Sequence, residues 1–170
     1  MKAILISINP KYVAKILNGE KTLEIRKTLP KCDLPIDVYI YCTKDRKYVN
    51  LINRGGFLTG MVVAKFTLNK VEEIKQRIGV FWVWGGHPYY TDNVSEENLL
   101  KRSCLSAEEL ENYLQGKVGY AWHIDNLVVF NKPKEIGEFR THKTYDLKDL
   151  HNCHVALTRA PQSWCYVEVI

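Results

Sequence analysis

No apolar run in this sequence is long enough to cross a bilayer; the apolar start, AILISI, is six residues long and runs straight into Asn9-Pro10. Neither a membrane span nor a signal peptide is therefore expected. Paired cysteines are missing too. Cys32, Cys42, Cys104, Cys153 and Cys165 are odd in number, widely spaced and without a CxxC, which fits reduced thiols in the cytoplasm rather than a disulfide framework. There is no GxGxxG, no GxxxxGK(S/T), no GxSxG and no HExxH, so nucleotide-cofactor and standard hydrolase readings lack support and no cofactor is expected. No repeat or low-complexity segment is present.

What is present suits a soluble globular protein. The 170 residues, 46% hydrophobic and 25% charged, fit one domain over 1–170 with room for insertions. The charge is unevenly spread. Residues 1–54 hold 11 Lys/Arg against 5 Asp/Glu, whereas residues 55–170 hold 13 against 14. A basic N-terminal third fits a phosphate-bearing partner, and equally a solvated basic surface.

Ala3–Ile8 reads as a buried strand, and Asn9-Pro10 supplies an N-cap and a first helical position. Tyr12, Val13, Ile16 and Leu17 fall at helical spacing until Gly19 stops the helix. Thr22–Lys27 then alternates, with Leu23 and Ile25 on one face and Thr22, Glu24 and Arg26 on the other. Further strands are expected at Asp37–Cys42, at Phe57–Leu68 with a bend at Gly60, and at Tyr120–Phe130, the last either one strand or a strand pair broken at Asp125-Asn126. Ser106 to Glu109 is a capping box opening a helix to Leu114, with Gly116 as its stop. Pro133–Phe139 reads as a connector, Arg140–Arg159 as a polar inserted loop, and the close, PQSWCYVEVI, as a strand. The pattern predicts an α+β fold: a small mixed β-barrel with helices at its ends and an inserted middle segment.

Lys21, Glu24 and Arg26 make a charge-balanced set that can be partly buried. The guanidinium fork of Arg26 suits phosphate or carbonyl oxygens, and Glu24 can orient either cation or accept from an exocyclic amine. The alternative is a structural Glu24–Arg26 pair on a barrel wall. The sequence Gly19-x-Lys21-x-x-Glu24-x-Arg26, placed after strand, Asn-Pro and helix, resembles the ASCH domain family, whose hallmark is GxKxxExR and whose fold is similar to the PUA-like RNA-binding barrels. WHIDNLVVFNKPKEIGEF and APQSWCYV resemble a bacterial and phage-borne group of that family. The likeness covers Met1–Thr43 and Gly119–Ile170 apart from the His-rich stretch; insertions are expected near 72–103 and 140–159.

The resemblance implies a polar cleft that binds RNA or a modified nucleoside, with Lys21, Glu24 and Arg26 lining it; Thr22, on the same strand face, is a further binding candidate. A regulatory role is one implication. Some ASCH proteins are amidohydrolases acting on N4-acetylcytidine, and one resembles a ribonuclease, so a hydrolase with Lys21 as base and Glu24 polarising it or a water is the alternative. Those amidohydrolases carry Thr three residues after the lysine, where this sequence has Glu24. A third reading is a non-catalytic phage or bacterial protein-interaction module. The oligomeric state is left open.

Other candidates are weaker in pattern. Ser163 and Trp164 are candidate cleft residues, with Tyr166 as a further hydroxyl. Trp82, Trp84, Tyr89 and Tyr90 flank a Gly-Gly-His-Pro turn, as stacking platforms or as core filling. His142, His151, Cys153 and His154 cluster, but the spacing lacks a paired CxxC or HxxxH, so no metal is expected despite His151, Cys153 and His154 as candidates.

Overall fold

β1 (Lys2–Ile8) is buried from Ala3 onward and has a neighbour on each side: β11 (Trp164–Val169) antiparallel, with Ile4 opposite Tyr166, and β3 (Ile36–Cys42) parallel, with Ile4 opposite Val38. The computed structural model describes residues 2–45, 59–76, 89–143 and 153–169; the side chains of residues 76, 142, 143, 153, 154 and 169 are outside the description. Two compact units emerge, one of Met1–Leu17, Ile36–Thr67 and Asn126–Ile170, the other of Asn18–Pro35 and Leu68–Asp125.

The first unit carries a seven-stranded mixed sheet. With β4 (Val62–Leu68), β8 (Asp125–Lys134), β9 (Phe139–Lys143) and β10 (Cys153–Ala156), its order is β10-β9-β11-β1-β3-β4-β8. α1 (Pro10–Leu17) starts as its sequence dictates. The Asn9 side chain accepts from the Lys11 N–H at 2.9 Å, Pro10 fills the first helical position, and Val13 and Ile16 are buried. On one face of the sheet, Leu5, Tyr39, Tyr41, Val62, Phe139 and Val167 form the core, with the Tyr39 and Phe139 rings edge-on at 5.1 Å.

The second unit carries a four-stranded antiparallel sheet, β2-β7-β5-β6, from β2 (Leu23–Arg26), β7 (Gly119–His123), β5 (Val71–Gln76) and β6 (Tyr89–Tyr90). α2 (Glu96–Ser103) and α3 (Ala107–Leu114) add Leu99, Leu110 and Leu114 to a core with Leu23, Ile25, Ile74 and Ala121. Each leucine or isoleucine among them, fully buried, contributes about 1.5–3 kcal/mol. The capping box of α3 is formed: Ser106 Oγ accepts from the Glu109 N–H at 3.0 Å, and Glu109 Oε2 accepts from the Ser106 N–H at 2.8 Å.

The α+β class is as expected. The 120–130 stretch is a strand pair, but its gap falls at Ile124 rather than at Asp125-Asn126, which open β8 with Asn126 at φ 48°. Two further readings need correction. Arg140–Arg159 is not simply a loop: β9 and β10 pair antiparallel, Val155 opposite Thr141, and β9 joins β11. Gly60, at φ +83°, sits in a turn ahead of β4 rather than bending a strand. Phe57, Trp82, Trp84 and most of the 43–56 loop lie outside the described residues. Tyr89 is core.

Candidate functional site

β2 alternates as its sequence requires, yet it is buried on both faces. Leu23 and Ile25 enter the core with Ala121. Glu24 stands opposite Trp122 and Arg26 opposite Tyr120 on the other face of the sheet. Lys21 is 3%, Glu24 7% and Arg26 8% exposed, values rare for such residues unless paired. They are paired. Lys21 Nζ lies 3.2 Å from Glu24 Oε2, and Arg26 Nη2 lies 3.1 Å from Glu24 Oε1, so one carboxylate bridges two cations.

The residues just before β2 are fixed by the end of α2. The last carbonyls of a helix have no partner within it and carry a partial negative charge. Here Lys21 Nζ donates to the Ser103 carbonyl at 2.6 Å, and the Thr22 N–H donates to the Arg102 carbonyl at 2.9 Å. Arg102 Nε returns a hydrogen bond to Thr22 Oγ1 at 3.0 Å, and the Ile124 N–H donates to the Thr22 carbonyl at 3.1 Å. Cys104 ends α2 in the left-handed conformation, φ 54°.

α3 completes the surroundings. Tyr113 brings its hydroxyl within range of the charges on Arg26 and Glu24, and Lys27 Nζ sits 4.9 Å from the centre of its ring. Burial raises the pKa of that hydroxyl, Glu24 adds to the rise, and Arg26 opposes it.

Lys21, Thr22, Glu24 and Arg26 thus come together in the four-stranded unit. Ser163 and Trp164 belong to the seven-stranded one. The Ser163 carbonyl accepts from the Ser7 N–H at 2.9 Å, and the Trp164 ring stands edge-on to Tyr166 at 5.4 Å. His151 and the side chains of His142, Cys153 and His154 lie outside the described residues. Among the described residues no group of three or more His, Cys, Asp or Glu could hold a metal, and no helix is long and apolar enough to cross a membrane.

Arg102, Ser103 and Tyr113 were not anticipated from sequence. A signal for α2 existed: Ser95 followed by Glu96 and Glu97, with Lys101 and Arg102 in the last turn, is the charge order a helix favours.

A second polar cluster lies on the core-facing side of the same sheet, where Glu72 stands opposite Ala121. Glu72 accepts from Thr91 Oγ1 at 2.6 Å and Asn93 Nδ2 at 3.2 Å, and meets Lys70 Nζ at 2.9 Å and His123 Nε2 at 2.7 Å. Burial alone would raise its pKa, but the hydrogen bonds from Thr91, Lys70, Asn93 and His123 hold the carboxyl down at about 2. His123 Nε2 is therefore the donor in that pair.

No family model and no curated protein matches the sequence. Solved structures do match in fold. The ASCH protein of Zymomonas mobilis superposes with a TM-score of 0.54 at 16% identity, over 98% of this chain and 87% of that one. A Ser-to-Ala variant of it gives 0.57 at 16% identity over 98% and 88%. A Tyr-to-Phe variant gives 0.51 at 18% identity over 80% and 77%. With its curled mixed sheet, three α-helices among the described residues and the GxKxxExR segment leading into β2, this chain has the α+β fold of the ASCH domain.

Proposed function

We propose that Lys21, Glu24 and Arg26 form a site that binds RNA or a modified nucleoside, in a regulatory rather than a catalytic role. The observation that carries this reading is the carboxylate of Glu24 bridging two buried cations at 3.2 and 3.1 Å. A set of two cations and one carboxylate keeps a net positive charge, and a buried pair of this kind is a weak source of stability. Its guanidinium is suited to phosphate and base oxygens. The basic balance of residues 1–54 and the ASCH fold support the same reading. The described cysteines are free thiols, which fits a cytoplasmic protein.

The competing reading is hydrolysis of RNA or N4-acetylcytidine with Lys21 as base. A base must offer a lone pair to the proton it removes. Lys21 Nζ instead faces two oxygen acceptors, the Ser103 carbonyl at 2.6 Å and Glu24 at 3.2 Å. A lysine used as a donor grips rather than abstracts.

Binding of a single-stranded RNA oligonucleotide across a salt series tests the proposal. Affinity is expected to fall steeply with salt, and Arg26→Ala to lose more than Lys11→Ala, since Lys11 is exposed on α1. Equal losses, or binding indifferent to salt, count against a site centred on β2. Turnover of N4-acetylcytidine is expected to be weak or absent. Robust hydrolysis that vanishes in Lys21→Ala moves the protein to the enzymes.

A further inference from the structure

A phosphate is gripped by donors that are both reachable and unspent. Lys21 and Arg26 are almost closed to solvent, and both already answer to Glu24. Arg102, at the end of α2, differs on both counts. It is half-buried; its Nε donates to Thr22 Oγ1 at 3.0 Å, and its carbonyl accepts from the Thr22 N–H at 2.9 Å. These two bonds clamp the helix end to the start of β2 and hold one edge of the guanidinium. A guanidinium carries five N–H donors, and here the one on Nε is used. Among the described residues no acceptor or ion pair meets Nη1 or Nη2. Neither is among the buried polar atoms that lack a hydrogen bond, so both face solvent.

The tether also sets the side of the sheet. The Ile124 N–H donates to the Thr22 carbonyl, which extends the β2–β7 register by one residue beyond Leu23 and His123. Thr22 is therefore extended backbone, and alternation puts its hydroxyl on the face of Glu24 and Arg26. A cation suits the C-terminal end of a helix in any case. That preference does not account for a guanidinium held by one edge with its fork turned to solvent.

We propose that Arg102 is the phosphate grip of the Lys21/Glu24/Arg26 site, which therefore takes a phosphate-bearing nucleotide in preference to a bare nucleoside. This rests on the nucleic-acid reading of that site and narrows its ligand. The planar fork matches two phosphate oxygens at once, whereas a lysine meets them as a point charge. Thr22 is the positioning residue: with Nε held, less freedom is lost when the phosphate arrives.

The test measures binding of uridine, uridine 5′-monophosphate and a short oligouridine by titration calorimetry at low salt. The wild type is expected to bind the phosphate-bearing probes about tenfold more tightly than uridine. Tighter binding of the monophosphate alone assigns the fork to a terminal phosphate, and of the oligouridine alone to an internal one. Arg102→Lys keeps the charge and is expected to lose about tenfold on the phosphate-bearing probes and far less on uridine. Thr22→Val is expected to lose about threefold on the same probes. In the wild type, the Arg102 Nε–Hε resonance is expected to shift with the monophosphate and not with uridine, a readout independent of whether the variants fold. Equal wild-type affinity for all three probes, unchanged affinity in Arg102→Lys, or a resonance that does not move overturns the grip. If Arg26→Ala still weakens binding in that case, the grip alone falls. A wild type that binds none of the three probes removes the nucleic-acid reading and the grip with it.

Discussion

Two buried carboxylates on opposite faces of one sheet, Glu24 on β2 and Glu72 on β5, have contrasting surroundings. Glu24 is met by two charged groups, Lys21 and Arg26. Glu72 is met by a hydroxyl, an amide, an imidazole and one half-exposed ammonium, with two of these donors from the short 91–93 turn that leads from β6 toward α2. Neutral donors fixed by a turn satisfy an anion without adding charge, which is how a fold ties a loop to a sheet. Charged partners gathered on a strand leave a net field behind. The difference sets an anchor against the proposed site: Glu72 ties the 91–93 turn to the sheet, and Glu24 holds two cations together.

The largest expected effect is at the anchor. Glu72→Ala leaves Thr91, Asn93, His123 and Lys70 without their shared acceptor and should cost about 3–5 kcal/mol in denaturant unfolding. The acid limb carries the same signature. The carboxyl falls from 4.5 to about 2 on folding, so its stabilisation is complete above pH 4.5 and disappears as pH drops toward 2. Its size is up to about 3 kcal/mol. Stability that is flat through that window, or equally pH-dependent in Glu72→Ala, would break the comparison.

At the site the effect on stability should be smaller and separable from binding. Glu24→Gln leaves two buried cations without a counter-charge and should cost about 3 kcal/mol, the low end for a broken buried pair because the amide oxygen still accepts, while RNA binding at low salt persists because the set gains positive charge. Replacing Lys21 with Met, Glu24 with Leu and Arg26 with Met together should cost less than about 1 kcal/mol, since apolar groups of similar volume often substitute for a buried ionic set. RNA retention should vanish in that triple variant. Intact binding there would make the set merely structural.

How much of this was legible follows from the distance over which each feature is set. The helix start at Asn9-Pro10, the two faces of β2 and the capping box at Ser106 are decided within a few residues, and each reads directly from the chain. The convergence of Lys21, Glu24 and Arg26 was legible for the same reason, since they lie on one short segment. The partners that seat them were not. Ser103 reaches Lys21 from 82 positions away, and no periodicity encodes such a contact. β9 and β10 were hidden differently: FRTHK is short and largely polar and CHVA is only four residues long, so their strand state comes from pairing with each other and, for β9, with β11. Glu72 carried no local signal either, because its four partners come from three segments.

The smallest expected effect is the sharpest on the comparison. Thr91→Val keeps the shape of the side chain but removes a hydroxyl that donates to Glu72 at 2.6 Å and accepts from the Val94 N–H at 2.9 Å and the Asn93 N–H at 3.3 Å. Thr91 is buried, so the Val94 amide loses an acceptor that water cannot easily replace, and a cost of about 1–2 kcal/mol follows. The hydroxyl is the strongest of the hydrogen bonds lowering the Glu72 pKa. Without it the folded carboxyl moves back toward 4.5, and less stability should be lost between pH 4.5 and 2 than in the wild type, measured by urea unfolding at several pH values. RNA affinity at neutral pH should not change, because Thr91 bonds to Glu72, on the face of the sheet opposite Glu24. A matching loss of affinity would show that the anchor and the site act as one network, and the distinction between the two carboxylates would fail.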